Sequence, residues 1–195
     1  MKNTAIIIPT RLGAKRFPNK PLAEINNVPM IVHVLNRATE SNVGKVIVAT
    51  PDEIICKIVE ENGGKAILTK PEHPSGSDRV YEAYTKALKN NVDIIINLQG
   101  DMPNIKPNSI SKLVNFMNNN DCDIGTLASH LNDKNDIINP NIVKVHTDQP
   151  LNGDNFLVAK DFFRLKKNLN KEKNLSSHRN LCLYKYCTNK VCKAC

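Results

Sequence analysis

Long hydrophobic runs are missing from this chain of 195 residues, whose apolar stretches are as short as AIII at 5–8 and VIVA at 46–49. A membrane-spanning helix needs about 20 consecutive apolar residues, so we expect no membrane partner. The apolar part of the N-terminal MKNTAIIIP ends too early for a secretory signal, which predicts a cytoplasmic location. The P-loop pattern and the G-x-S-x-G nucleophile elbow are also absent. The sequence therefore favours neither a P-loop nucleotide site nor a Ser–His–Asp hydrolase.

Acidic residues are scarce in only one part of the chain. Residues 1–155 contain 17 Lys and Arg against 17 Asp and Glu, whereas residues 156–195 contain 10 against 2. The formal charge of +8 therefore lies entirely in the C-terminal segment. A neutral body predicts no nucleic-acid partner, although nucleic-acid binding by the basic tail remains open as an alternative.

Cysteine is also unevenly distributed. Four of the six cysteines, Cys182, Cys187, Cys192 and Cys195, lie in the C-terminal segment. Without an export signal, a disulfide framework is not expected. Only Cys192 and Cys195 have the close C-x2-C spacing of a zinc-ligand pair. A zinc site in the tail remains a second, open alternative.

Short apolar runs alternate with longer amphipathic segments. Predicted strands cover residues 5–8, 45–49, 66–68, 93–98, 124–129 and 143–147, and predicted helices cover 29–41, 52–64, 77–90 and 106–120. Ser77 is the expected N-cap of the third helix. This order predicts an α/β fold, with a mostly parallel sheet covered by helices on both faces. Ligands of such sheets bind beyond the carboxyl ends of the strands, which directs attention to the loops after residues 8, 49, 68 and 98.

The loop after the first predicted strand carries four cations and no acid. These cations, in the segment AIIIPTRLGAKRFPNKPL, are Arg11, Lys15, Arg16 and Lys20. Clustered positive charges at this edge of a sheet suit a polyphosphate, because each one can neutralise an oxygen. The alternative is an ordinary solvated basic loop.

A carboxylate follows the predicted strand in IIINLQGDMP, residues 94–103. Gly100 would permit a tight turn that places Asp101 at the edge of the sheet. A carboxylate beside a polyphosphate suits Mg²⁺, which takes one or two carboxylates plus phosphate oxygens. An aspartate that only caps a turn is the alternative.

The segment HPSGSDR, residues 73–79, begins the third predicted helix. Backbone N–H groups at a helix N-terminus favour an anion or a nucleobase acceptor. Arg79 could reach a neighbouring cleft, or Asp78 and Arg79 could be routine first-turn residues. His73 could either pack or contact a ligand, whereas His33 in an apolar helix favours a core or dimer role.

Six segments within roughly residues 4–148 read IPTRLGAKRFPNKPL, PMIVHVLNRA, VIVATPDE, HPSGSDR, NLQGDMP and NPNIVKV. The resemblance of these segments is to one enzyme family, the 3-deoxy-manno-octulosonate (Kdo) cytidylyltransferases of lipopolysaccharide biosynthesis. It implies a Rossmann-like nucleotide-diphospho-sugar transferase fold, a homodimer, and transfer of CMP from CTP to Kdo with release of pyrophosphate.

The resemblance also implies roles for individual residues. Arg11 and Lys20 would contact the triphosphate with Arg16 close by, and Asp101 would bind Mg²⁺. Ser75 and Arg79 would lie against the cytidine. Gln99 and Pro103 would border the sugar site, and Arg164, in AKDFFR, would be a sugar-side residue.

The chain departs from the family pattern in three places. Met102 stands where an acid usually follows Asp101, and Ala14-Lys15 stands in the basic loop where Ser-Thr is common. The segment SHRNLCLYKYCTNKVCKAC diverges before the family's sequence would end. These departures predict a nucleotide-binding domain at 1–155 and a truncated remnant of the sugar-binding and dimerisation part at 156–195. An inactive relict that at most binds CTP, and a sialic-acid-type cytidylyltransferase, remain open as alternatives.

Overall fold

The computed structural model describes residues 3–13, 17–88, 91–131, 133–151, 156–164 and 175–185. It contains two compact units, one formed by Met1–Gly125 with Leu181–Cys195 and the other by Thr126–Asn180. The predicted division into 1–155 and 156–195 concerns function rather than compactness, and it stays a prediction.

Strands and helices alternate through most of the described chain, as the sequence predicts. The strands are β1 (Thr4–Pro9), β2 (Glu24–Ile25), β3 (Val28–Pro29), β4 (Lys45–Thr50), β5 (Ala66–Leu68), β6 (Ile94–Leu98), β7 (Ile124–His130), β8 (Lys144–Thr147), β9 (Ala159–Phe163) and β10 (Leu175–Lys185). The helices are α1 (Met30–Glu40), α2 (Glu53–Glu61), α3 (Gly76–Leu88), α4 (Pro107–Asn119) and α5 (Lys134–Ile138), with a 3-10 helix at Lys20–Leu22.

Four parallel strands form the centre of the first unit, in the order β5-β4-β1-β6. Ile7 is in register with Ile47 of β4 and Asn97 of β6. The second half of β10 adds an antiparallel strand, with Leu183 opposite Ile96. Within this unit the sheet is thus mostly parallel, which confirms the predicted fold class.

Both faces of β1 are buried, which explains why it reads as an unbroken apolar run. Ala5 and Ile7 belong to a core cluster with Val80 and Tyr84 of α3. Because side chains alternate along a strand, Ile6 and Ile8 point to the opposite face, and they are fully buried as well. The predicted apolar stripe of α1 is also confirmed, since Ile31, Val34, Leu35 and Ala38 are all buried.

The second unit is built on antiparallel strands. β8 pairs with β9 and with the first residues of β10, where Ser176 lies opposite Val145. Lys144 of β8 is fully buried, and its ammonium donates to the carbonyls of Asn139 (2.5 Å) and Arg164 (2.8 Å). Burial lowers the pKa of Lys144; the nearby charge of Asp136 opposes that shift, and the charge of Arg164 adds to it.

The third predicted helix begins earlier than expected. It starts at Gly76, so the residue that precedes it is Ser75, and the prediction that Ser77 is the N-cap was wrong. The amide of Asp78 donates to Ser75 Oγ (3.2 Å), and that hydroxyl donates to the Asp78 carboxylate (2.6 Å). A serine followed three residues later by an acid is a capping pattern, and Ser75 with Asp78 fits it.

Candidate active site

A pocket of about 350 Å³ opens in the first unit, at the carboxyl ends of β1 and β6. This is the edge where a parallel sheet binds its ligands. Three chain segments line it: the loop after β1 with the 3-10 helix, the loop before α3 with the start of that helix, and the turn after β6. The lining residues are Pro9, Thr10, Arg11, Lys20, Pro21, His73, Pro74, Ser75, Gly76, Arg79, Gln99, Gly100 and Asp101.

The basic loop is fixed at its start by a neighbouring carboxylate. The amide of Leu12 donates to Asp52 Oδ2 (2.9 Å), and the amide of Thr10 donates to the Ala49 carbonyl (3.0 Å). Arg11 between them is exposed and makes no ion pair within the part of the chain that the structure describes. Its guanidinium is therefore available to a ligand anion.

Lys20 reaches the same pocket from the far end of the basic loop. Asn19 has a left-handed backbone (φ 57°), and its amide donates to the Leu12 carbonyl (3.1 Å), which closes the loop on itself. Arg16, predicted beside the triphosphate, and Lys15 lie outside the described residues.

Asp101 and Lys20 meet directly. Lys20 Nζ lies 2.8 Å from Asp101 Oδ2, and the two side chains are 34% and 50% exposed. The predicted convergence of the basic loop with the carboxylate at the end of β6 is thus present. Gly100 allows this convergence by close approach, since a Cβ there would lie 3.0 Å from Thr10 Cβ and 3.1 Å from the Pro9 carbonyl oxygen.

The metal-ligating side chains near Asp101 are few, which limits the kind of metal site that this part of the pocket can form. Within the described ranges, no group of three or more His, Cys, Asp or Glu side chains could enclose a metal ion. A single half-exposed carboxylate beside cations suits Mg²⁺, which keeps several waters and commonly shares one protein carboxylate with substrate phosphates. Asp101 therefore fits a metal that arrives with an anionic ligand.

Arg79 lines the pocket, but its donors are engaged with the protein. The side chain is 3% exposed, and its NH1 donates to Thr69 Oγ1 and to the Lys70 carbonyl (2.9 Å). Its NH2 donates to the Pro71 carbonyl (3.2 Å). Burial, and after it the positive charge of Arg11, lowers the pKa of Arg79, while Asp52 and Glu82 oppose that shift.

Glu82 is a residue of this region that the sequence did not single out. Its carboxylate accepts from the imidazole of His73 (2.5 Å), the ammonium of Lys86 (2.7 Å) and the amide of Lys70 (3.0 Å). Burial alone would raise the pKa of Glu82, but these hydrogen bonds outweigh it and lower the pKa to about 2. Only its position on α3, one turn after Arg79, could have suggested that Glu82 takes part in this region.

Gln99 is oriented by a series of hydrogen bonds that runs through the buried side chain of Asn97. Its Nε2 donates to Asn97 Oδ1 (3.0 Å), and Asn97 Nδ2 donates to Ser77 Oγ (3.4 Å). Asn97 is 4% exposed on the central strand β6. With its amide nitrogen engaged, Gln99 keeps its carbonyl oxygen as an acceptor for a ligand.

Two predicted site residues are not among those lining the pocket. Pro103 is half-buried beyond the turn that carries Asp101. Arg164 belongs to the second unit, where its NH1 donates to the carbonyls of Pro140 and Asn141, both at 3.2 Å. Their predicted contacts with a sugar stay predictions.

Other sequence features have simpler explanations. His33 Nε2 is hydrogen-bonded to the Ile25 carbonyl (2.8 Å), which agrees with the structural role that its apolar helix predicted. Cys187, Cys192 and Cys195 lie outside the described residues, as does the side chain of Cys182, so the zinc alternative stays a prediction. Among the helices that the structure describes, none is both long and apolar enough to cross a membrane.

Comparison with known proteins gives consistent results. The sequence model of a family described as "Cytidylyltransferase" matches residues 5–194. Proteins named 3-deoxy-manno-octulosonate cytidylyltransferase from Thermodesulfovibrio yellowstonii and Nitrobacter winogradskyi are 47% identical over 152 residues and 45% identical over 142 residues. These alignments cover 75% and 72% of this chain, but only 60% and 56% of the two relatives. A protein of the same name from Brucella canis is 43% identical, with 83% of this chain and 64% of the relative covered.

A solved structure agrees with the sequence relatives. It is described as CMP:2-keto-3-deoxy-manno-octonic acid synthetase complexed with CTP, and it superposes with a TM-score of 0.80 at 34% identity. The superposition covers 94% of this chain and 74% of that one. The resemblance first read from six short segments is therefore confirmed along most of the sequence, and the chain belongs to the cytidylyltransferase family.

Proposed function

We propose that this protein transfers CMP from CTP to Kdo, releasing pyrophosphate and forming CMP-Kdo for lipopolysaccharide synthesis. The observation that carries the proposal is the pocket at the ends of β1 and β6, where Arg11, Lys20 and Asp101 converge. The relatives that share 43–47% of its aligned residues are named for this activity, and the solved structure at 34% identity was obtained with CTP.

The cations of the basic loop would bind the triphosphate. Arg11 makes no ion pair within the described residues, and Lys20 would turn from Asp101 toward a phosphate oxygen. Each would neutralise charge on the β- and γ-phosphates, which become the leaving pyrophosphate when the sugar hydroxyl attacks the α-phosphate. Little covalent chemistry is required of the protein, which acts mainly by positioning and neutralising groups.

Asp101 would hold Mg²⁺ together with the phosphates. The ion, when bound, supplies positive charge that polarises the α-phosphate. Asp101 reaches the ion because Gly100 lets the turn after β6 approach Thr10 and Pro9. Met102 stands where the family pattern has a second acid, so Asp101 would be the carboxylate ligand that this turn supplies.

The remaining pocket residues would position the two substrates. The segment His73–Gly76 contains no lysine, arginine, aspartate or glutamate and suits the base and ribose of CTP. Gln99 offers its oriented carbonyl oxygen to a hydroxyl of the sugar acid. A position of Arg16 close to the triphosphate and sugar contacts from Pro103 and Arg164 are further parts of this proposal. So are assembly as a homodimer and a cytoplasmic location.

Two alternatives are less well supported. An inactive relict that only binds CTP is not favoured, because the family match continues from residue 5 to 194 and includes the divergent C-terminal segment. A sialic-acid-type enzyme would prefer a different sugar acid, whereas the relatives compared above are all named for Kdo.

Turnover with single components omitted tests the proposal. We expect pyrophosphate release only when CTP, Kdo and Mg²⁺ are all present, and little release when sialic acid replaces Kdo. CTP that raises the melting temperature without any turnover would instead establish the relict. Release with sialic acid but not with Kdo would assign the chain to the other branch.

A further inference from the structure

The loop between β5 and α3, residues 69–75, forms one wall of the pocket. His73, Pro74 and Ser75 line the cavity, and the loop contains two prolines, Pro71 and Pro74. At its start, the amide of Thr69 donates to the Thr50 carbonyl (2.8 Å). The rest of the loop is held by side chains of α3.

Arg79 binds three successive residues of this loop. Its guanidinium donates to Thr69 Oγ1, the Lys70 carbonyl and the Pro71 carbonyl. A planar guanidinium presents several donors in a fixed geometry, so one buried side chain satisfies all three acceptors. With these bonds made, Arg79 has few donors left for a ligand.

Glu82 accepts hydrogen bonds from donor groups of the same loop. Its carboxylate accepts hydrogen bonds from the Lys70 amide and the His73 imidazole. Glu82 lies three residues after Arg79, on the same face of α3. Lys70 is thereby held from both sides, its carbonyl by Arg79 and its amide by Glu82. The Glu82 side chain is 13% exposed and that of His73 is 12% exposed, so the bond between them is largely shielded from water. The bond from the Lys70 amide is exposed.

We propose that Arg79 and Glu82 are positioning residues, which act on the nucleobase of the substrate only through the loop 69–75 that they hold. This inference rests on the proposed function. It replaces the expectation that Arg79 touches cytidine with an indirect role, and it adds Glu82 and His73 to the residues that determine base selection.

The charge distribution explains why this wall faces the base and not the phosphates. The exposed charged groups of the pocket, Arg11, Lys20 and Asp101, follow the carboxyl ends of β1 and β6. The fourth charged side chain of the lining, Arg79, is buried and bound to the carbonyls of Lys70 and Pro71. The wall itself presents an imidazole, a proline ring, a hydroxyl and backbone. Polar groups that are held rigidly discriminate between hydrogen-bond patterns, because a mismatched base leaves them unpaired.

A glutamine at position 82 tests the role of Glu82. Glu82→Gln keeps the shape and one acceptor oxygen but removes the charge that holds His73 and the Lys70 amide. We expect KM for CTP to rise at least about 10-fold, a change of about 1.4 kcal/mol, because the charge-assisted hydrogen bonds that hold the loop are lost. The preference for CTP over UTP should fall, while KM for Kdo and kcat stay within about threefold of wild type.

Hydrogen exchange supplies a readout that does not depend on turnover. The Lys70 amide should exchange at least about 10-fold faster in the Glu82→Gln and Arg79→Lys variants, since each loses part of the hold on this residue. Glu60→Gln is the matched control, because this substitution makes the same chemical change at an exposed position of α2. The control should change neither exchange at Lys70 nor any kinetic constant.

Three results would overturn the inference. Unchanged exchange at Lys70 would show that the two side chains do not hold the loop. Faster exchange with unchanged KM for CTP and unchanged CTP/UTP preference would show that the loop does not select the base. A direct contact from Arg79 would appear as a loss of CTP affinity in Arg79→Lys with Lys70 exchange unchanged. If the wild type binds CTP without turnover, the proposed reaction fails, and CTP and UTP affinities from thermal shifts then decide the inference alone.

Discussion

Replacing Asp101 by asparagine should abolish activity with little effect on folding. The side chain is 50% exposed, and its contact with Lys20 at 2.8 Å joins two solvent-accessible groups. Exposed ion pairs contribute about 0–1 kcal/mol to stability. In a chain of this size, 1 kcal/mol corresponds to about 2–4 °C in Tm, so the Asp101→Asn variant should melt within about 4 °C of wild type. Turnover should fall at least about 100-fold, because the amide cannot supply the charge that holds the metal.

The assay is pyrophosphate release across a Mg²⁺ titration, with melting followed on the same samples. Asp123→Asn is the matched control, since Asp123 is an exposed aspartate outside the pocket. The Lys20→Met substitution should raise KM for CTP. Its effect and that of Asp101→Asn should be non-additive in the double variant if both groups bind the same metal–triphosphate complex. Wild-type turnover and Mg²⁺ dependence in Asp101→Asn would refute the assignment. A fall in Tm of more than about 10 °C would show that the carboxylate is structural.

Three further changes test other parts of the site. Asp52→Ala removes the acceptor of the Leu12 amide, so KM for CTP in steady-state kinetics should rise while kcat changes less, and an unchanged KM would contradict the anchoring role. Gly100→Ala places a Cβ 3.0 Å from Thr10 Cβ, so turnover should drop as the turn after β6 moves away, and full activity would show that the loops adjust freely. Folding lowers the pKa of Glu82 from 4.5 to about 2, so its contribution to stability is fully present above pH 4.5 and is lost as the pH falls toward 2. Urea unfolding should therefore show the stability gap between wild type and Glu82→Gln closing across that range, and a constant gap would refute the shift.

The sequence predicts the central sheet and the position of the pocket well, for physical reasons. Fully buried parallel strands read as unbroken apolar runs, and β1, β4 and β6 were recognisable for that reason. The meeting of Lys20 with Asp101 follows because parallel strands place their carboxyl ends on one edge of the sheet.

The contacts that hold the pocket together were not predictable in the same way. Arg79 and Glu82 bind backbone groups 8 to 12 residues away, and a backbone carbonyl or amide leaves no signal in the sequence. The antiparallel strands β9 and β10 were missed as well, since β9 exposes much of its length and lacks a strong apolar pattern. The sequence thus indicates which residues line the pocket more readily than which residues position them.

These positioning contacts determine how much the pocket must change when it binds a substrate. Asp52 fixes the start of the basic loop, and Arg79 with Glu82 fixes the loop 69–75. Among the described residues, the contact that the proposed metal–triphosphate complex would have to break is therefore the ion pair of Lys20 with Asp101. Opening this exposed pair would cost about 0–1 kcal/mol, less than the roughly 1.5–3 kcal/mol gained from each new charge-assisted hydrogen bond. On the proposed function, the pair keeps Lys20 and Asp101 close together before binding, and Lys20 would then exchange Asp101 for a substrate phosphate while Asp101 exchanges Lys20 for the metal ion.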